Sequence, residues 1–81
     1  MLSCDLHDYI EIACLYQYPV RITLKSGVVL EGKAADTVWN QGKQECVKIV
    51  VGDNSILLPL DSISSMQAKV SNPHFDQVSF D

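Results

Sequence analysis

The hydrophobic rhythm of this chain changes once, at Pro19, and that change restricts the fold to one helix followed by a sheet of short strands. Ahead of the proline, Leu6, Tyr9, Ile10, Ala13 and Tyr16 or Gln17 recur at helical spacing and make one apolar stripe. Ser3 or Asp5 is placed to cap this helix, and Asp5 and Asp8 put negative charge in its first turn, where the dipole favours it. Pro19 lacks an N–H and pushes Tyr18 out of helical geometry, so the pattern predicts about three turns over residues 5–17.

Beyond Pro19 the period is two. Val20, Ile22 and Leu24 alternate with Arg21, Thr23 and Lys25 as in a half-buried strand, and Ser26-Gly27 is a turn. A longer strand opens with Val28, Leu30 and Gly32 and runs to about Val38, where the polar stretch from Asn40 to Lys43 makes a hairpin loop. Cys46 through Val51 is the third strand, Gly52-Asp53-Asn54 a tight turn, and Ser55 to Pro59 the fourth strand. Pro59 cannot donate to a ladder and belongs at a strand end or an edge. A break at Leu60-Asp61-Ser62 leads into a fifth strand from Ile63 to Lys69, so strands fill about residues 20–70. In the 71–81 tail, Val78 and Phe80 alternate with polar residues as an added edge strand would. The fold class expected is mainly β with one N-terminal helix: a small, strongly bent antiparallel β-barrel, because closing or half-closing the sheet hides its edges.

At 81 residues there is room for one core, and residues 1–81 are read as a single domain. Hydrophobic residues make up 47% of the chain, enough for collapse. No run approaches the roughly 18 apolar residues of a membrane helix. The chain begins with Asp5, Asp8 and Glu11 and has no base before Arg21, the reverse of a signal peptide. Three cysteines, Cys4, Cys14 and Cys46, are odd in number and unrelated in spacing, as expected of reduced thiols. These features lead us to expect a cytoplasmic chain, away from membranes.

Ten acidic residues against six basic ones give a net charge of −4 and a pI near 4.9. A general nucleic-acid binder shows a basic patch and a pI above roughly 9, so this balance fits a basic partner instead. Residues 1–20 carry net −3, residues 21–50 net +2 and residues 51–81 net −3. No nucleophile elbow, zinc-protease, P-loop or dinucleotide motif occurs, and the two histidines, His7 and His74, read as surface or capping residues. Cys4 and His7 form a C-x-x-H pair, but Cys14, Cys46 and His74 complete no ribbon or finger spacing. No catalytic residue, cofactor or metal is expected.

The stretch from Val20 to Gly27, followed by Leu30-Glu31-Gly32-Lys33-Ala34-Ala35-Asp36, resembles the first motif of the Sm-like fold. Gly27 supplies a turn conformation, and Gly32 keeps a side chain out of the way of a bent strand. Leu57 through Met66 resembles that fold's second motif, with Pro59-Leu60-Asp61 where RNA-contacting residues would stand. The head, Cys4-Asp5-Leu6-His7-Asp8-Tyr9-Ile10-Glu11-Ile12-Ala13-Cys14, resembles the opening of the Rof family, the Rho-binding antiterminators of bacteria. The likeness extends over nearly the whole chain and is looser in the 39–45 loop, Trp39 included, and past Met66. It implies a monomeric Sm-like barrel that binds the RNA-binding domain of Rho, keeps RNA from loading and suppresses termination. Asp5, Asp8 and Glu11, with His7 among them, fall on the family's acidic helix and are the Rho-binding residues it implies.

The residues support this reading on their own in one respect. Positions 5, 8 and 11 step about 300° each around a helix, so the three carboxylates follow one slowly drifting stripe. Such a stripe suits a basic channel made for single-stranded RNA. The rival expectation is an Sm-like RNA-binding ring that uses Arg21, Lys25, Lys33, Lys43 and Lys48. A monomer on gel filtration would exclude it.

Overall fold

The computed structural model describes residues 4–80, with side chains from His7 to Phe80. Helix α1 spans Cys4–Leu15 and is followed by β1 (Pro19–Leu24), β2 (Val29–Trp39), β3 (Glu45–Val51) and β4 (Asn54–Pro59). A 3₁₀ turn, Leu60–Ser62, leads into β5 (Ile63–Ala68), and β6 (Gln77–Ser79) ends the described chain. The strands form one antiparallel sheet in the order β4-β3-β2-β1-β5-β6. This is the mainly β, one-helix Sm-like outline expected, with β4 and β6 as its two edges.

The bend is built into β2. Its first residues pair with β1 from Val29 to Lys33, and its later ones pair with β3 from Lys33 to Trp39. Between Ala34 and Asp36 the register shifts, leaving Ala35 as a bulge that turns the strand. Gly32 sits where β2 passes closest to β3. A Cβ there would stand 2.5 Å from the Val50 carbonyl oxygen and 2.6 Å from Ile49 Cγ2. The glycine is needed for that close approach.

The inner face of the curled sheet holds the core. Val20 and Ile22 of β1, Ala34 of β2, Val47 and Ile49 of β3, and Ile63 and Met66 of β5 are almost fully buried. Helix α1 packs over β2 and contributes Ile10 and Ala13 to the same cluster. The helix ends two residues earlier than the spacing predicts. Gln17 adopts a left-handed φ of 53°, its N–H donates to the Cys14 carbonyl, and the Tyr18 N–H donates to that of Ala13. This is a Schellman cap, which satisfies the last carbonyls before Pro19 is reached. The apolar stripe therefore stops short: Tyr16 is exposed, and Pro19 opens β1 instead of ending α1. The placing of Ser3 or Asp5 as a cap lies outside the described residues and side chains.

The tail is better ordered than its sequence suggests. Asn72 accepts the N–H groups of His74 and Phe75 on Oδ1 and donates through Nδ2 to the carbonyls of Val70 and Phe75. That turn returns the chain to β5, where Met66 faces Val78, and buries Phe75, Val78 and Phe80. Phe75 meets the Tyr9 ring edge-on, with centroids 5.6 Å apart, tying the tail to the helix.

Candidate functional site

Helix α1, the tip of the β2–β3 hairpin and the β4–β5 connection enclose a groove of about 520 Å³. The helix supplies His7, Asp8 and Glu11, the hairpin Trp39, Lys43, Gln44 and Glu45, and the connection Pro59, Leu60 and Asp61. Four carboxylates thus face one lysine. The groove carries net −3 with His7 neutral and −2 with it protonated. Asp8 and Glu11 are exposed, as the helical spacing requires of a stripe opposite Ile10 and Ala13. Asp5 lies one turn earlier on α1, and its side chain is outside the described ones.

His7 is the joint of the site. Its Nε2 stands 2.8 Å from Glu45 Oε1 and its Nδ1 3.3 Å from Glu11 Oε1, so both ring nitrogens face carboxylates. A doubly protonated ring satisfies both contacts. The hydrogen bond to Glu45 raises the His7 pKa above the usual 6.5, with partial burial opposing it and the charges of Glu45, Glu11 and Asp8 adding to it. His7 is therefore a bridge from α1 to β3 rather than a surface or capping histidine. His74 is exposed and stacks on Tyr16, with centroids 5.2 Å apart.

The hairpin that carries Trp39 is held by its own turn. The Lys43 N–H donates to the Asn40 carbonyl, the Asn40 N–H to the Gln44 carbonyl, and the Gln44 N–H to Asn40 Oδ1. The β1–β2 turn repeats the pattern, with the Gly27 N–H donating to Leu24 and the Leu24 N–H to Val28. Each is a three-residue loop with its last residue left-handed, Gly27 at φ 94° and Lys43 at φ 61°. A lysine thus holds the position that glycine fills in the sister turn, and it lines the groove.

Of the bases in the rival RNA-binding reading, Arg21 is paired with an acid. Arg21 Nε is 2.6 Å from Glu31, and Lys69 Nζ reaches the other oxygen of the same carboxylate at 2.9 Å. Those two cations hold the Glu31 carboxyl below its usual range. The donor atoms of His7, Asp8 and Glu11 lie within 4.8 Å of one another, a group with the chemistry to ligate a divalent cation. Both imidazole nitrogens are already engaged there. Cys14 and Cys46 are free thiols, and burial pushes the Cys14 pKa up to about 11.

Several participants in the groove were not found by sequence reasoning. Trp39, Glu45 and Asp61 come from distant segments. The signal for Trp39 was available, since it is the chain's one tryptophan and stands beside a turn.

Among the described residues no helix is long and apolar enough to cross a membrane. The family model described as modulator of Rho-dependent transcription termination (ROF) matches residues 1–80. The proteins named rof of Escherichia coli (strain K12) and Shigella flexneri are each 33% identical over 64 residues, covering 79% of this chain and 75% of the relative. A solved structure described as YaeO bound to magnesium, from Vibrio cholerae O395, superposes with a TM-score of 0.88 at 47% identity. It covers 91% of this chain and 96% of its own. An acidic helix on a small bent sheet, matched by the family model over residues 1–80 and in backbone over 91% of the chain, places the chain in the Rof family of modulators of Rho-dependent transcription termination.

Proposed function

We propose that the chain suppresses Rho-dependent termination by seating its acidic groove on the RNA-binding surface of Rho, so that RNA cannot load. The observation that carries this reading is the convergence of Asp8 and Glu11 with Glu45 and Asp61 on one exposed face. A surface that binds single-stranded RNA is a basic channel tracking phosphates, and a row of carboxylates on a rigid helix competes for the same cations. His7 contributes by locking α1 to β3, which fixes the spacing of the carboxylates. The chain acts by binding and not by catalysis, with Rho as its partner and no nucleic acid held directly.

A ring built by strand pairing would join the two open sheet edges of neighbouring subunits head to tail. Here β6 covers β5, so the edges left are β4, which ends in Pro59, and the three residues of β6. We expect a 9.0 kDa monomer on gel filtration. The functional reading is tested by equilibrium binding to purified Rho as salt rises from about 50 to about 300 mM, over which screening shortens markedly. Binding that is tight at low salt and weakens steadily supports it. No binding at low salt, or binding indifferent to salt, refutes it.

A further inference from the structure

Trp39 is 69% exposed at the last position of β2, although burying so large a ring is among the most favourable uses a small fold has for a side chain. It stands directly before the Asn40 turn described above, whose hydrogen bonds fix the end of the hairpin. In the antiparallel ladder Trp39 lies directly opposite Glu45, so the indole and that carboxylate project from the same face of the hairpin. The groove beside them is net negative even with His7 protonated. An aromatic face next to carboxylates, in a recess with apolar walls at Pro59 and Leu60, is chemically selective. It favours a planar cation that can stack on the ring while donating to the acids.

We propose that this groove is a receptor for an arginine side chain of the partner, with Trp39 stacking on the guanidinium and Glu45 and Asp8 accepting its N–H groups. The inference rests on the functional reading above and deepens it. The acidic helix supplies general attraction, while the Trp39 groove supplies a fixed anchor and the preference for arginine over lysine. Lysine, a compact and strongly hydrated cation, stacks less well and cannot bridge two acceptors in a plane. Lys43 is already among the lining residues, and the four carboxylates still leave the groove negative.

The chain's one tryptophan makes the test direct, since all indole fluorescence comes from the proposed anchor. Two arms use the 81-residue chain. In the first, hexa-arginine and hexa-lysine are titrated against it. The expected result is a saturable change in Trp39 emission, at several-fold lower concentration for the arginine peptide. In the second, Rho binding is measured for wild type, Trp39→Ala and Trp39→Phe. Alanine should weaken binding by about tenfold, as for an interface anchor, and phenylalanine should restore most of it. Thermal melts should agree among the three, because the ring is not part of the core. A hexa-arginine titration that leaves the emission unchanged overturns the inference, as does a Trp39→Ala variant that binds Rho like wild type. A saturable, arginine-preferring response in a protein that does not bind Rho would keep the receptor and discard the functional reading.

Discussion

Replacing Gly32 with alanine adds one methyl group where β2 crosses β3, and the structure sets its cost. The new Cβ would lie 2.5 Å from the Val50 carbonyl oxygen, 2.6 Å from Ile49 Cγ2 and 3.0 Å from Val51 Cγ2. Comfortable carbon contacts are about 3.5–4.0 Å, so the strands must part by roughly 1 Å or the Ile49 side chain must leave its rotamer. Ile49 is in the closed core and Val50 is in the ladder beside Lys33, so neither moves alone. Overpacking of this kind costs about 1–3 kcal/mol. Gly→Ala also stiffens the unfolded chain and returns about 0.4–1 kcal/mol. The net expectation is a loss of about 1–2 kcal/mol, a fall in Tm of roughly 4–15 °C for a domain of this size. Gly42→Ala is the matched control, since its Cβ would meet only Asn40 Oδ1 at 3.4 Å, and it should stay within about 0.5 kcal/mol. The assay is a thermal melt followed by circular dichroism, with urea titration to check that m is unchanged. A Gly32→Ala protein melting at or above wild type would refute the close-approach argument, and Gly32→Val should be worse than alanine.

Three further outcomes are expected. The raised His7 pKa means that its bridge stabilises the fold fully below about pH 6.5, and that this contribution fades as pH rises through the folded value. Urea midpoints from about pH 6 to about pH 8.5 should therefore fall for wild type and run flatter for His7→Gln; equal slopes would refute the bridge. Lys43→Gly should stabilise the protein by about 0.5–1 kcal/mol by removing a non-glycine residue from the left-handed region, and an unchanged or lower urea midpoint would count against that strain. Cys14, with its pKa near 11, should resist iodoacetamide at about pH 8 in the folded protein and react on unfolding; fast labelling of the native state would contradict its burial.

Much of the fold is legible along the chain because its signals are local. The alternation of Val20, Ile22 and Leu24, the turns at Gly27 and Gly52, and Pro59 at the end of β4 each depend on a few neighbouring residues. The exposed acids Asp8 and Glu11 follow from helical spacing alone. The helix end was misplaced because a cap made by Gln17 has no compositional signature, whereas Pro19 two residues on has a strong one. Half of the candidate site is invisible for another reason. His7 and Glu45 are 38 residues apart, and only the packing of α1 over β2 and the pairing of β2 with β3 bring them to hydrogen-bond distance. Trp39 and Asp61 join the helix acids through the same long-range geometry. Asn72, which folds the tail back, reads in the sequence as an ordinary residue before a proline.

The proposed function requires that the placed carboxylates of the groove, and not the chain's bulk charge, exclude RNA from Rho. It is tested most directly by displacement of a labelled single-stranded RNA from Rho. The competitors are wild type, the double variant Asp8→Lys with Glu11→Lys, and the control double variant Asp53→Lys with Asp76→Lys. Asp53 lies in the β3–β4 turn and Asp76 before β6, both exposed and outside the groove, and the two doubles change net charge equally. All four substituted side chains are exposed, so each substitution should cost within about 0.5 kcal/mol of stability. The account predicts that wild type and the control displace RNA while the helix double variant, still folded, does not. A folded helix double variant that displaces RNA like wild type would contradict it, and so would equal loss in the control.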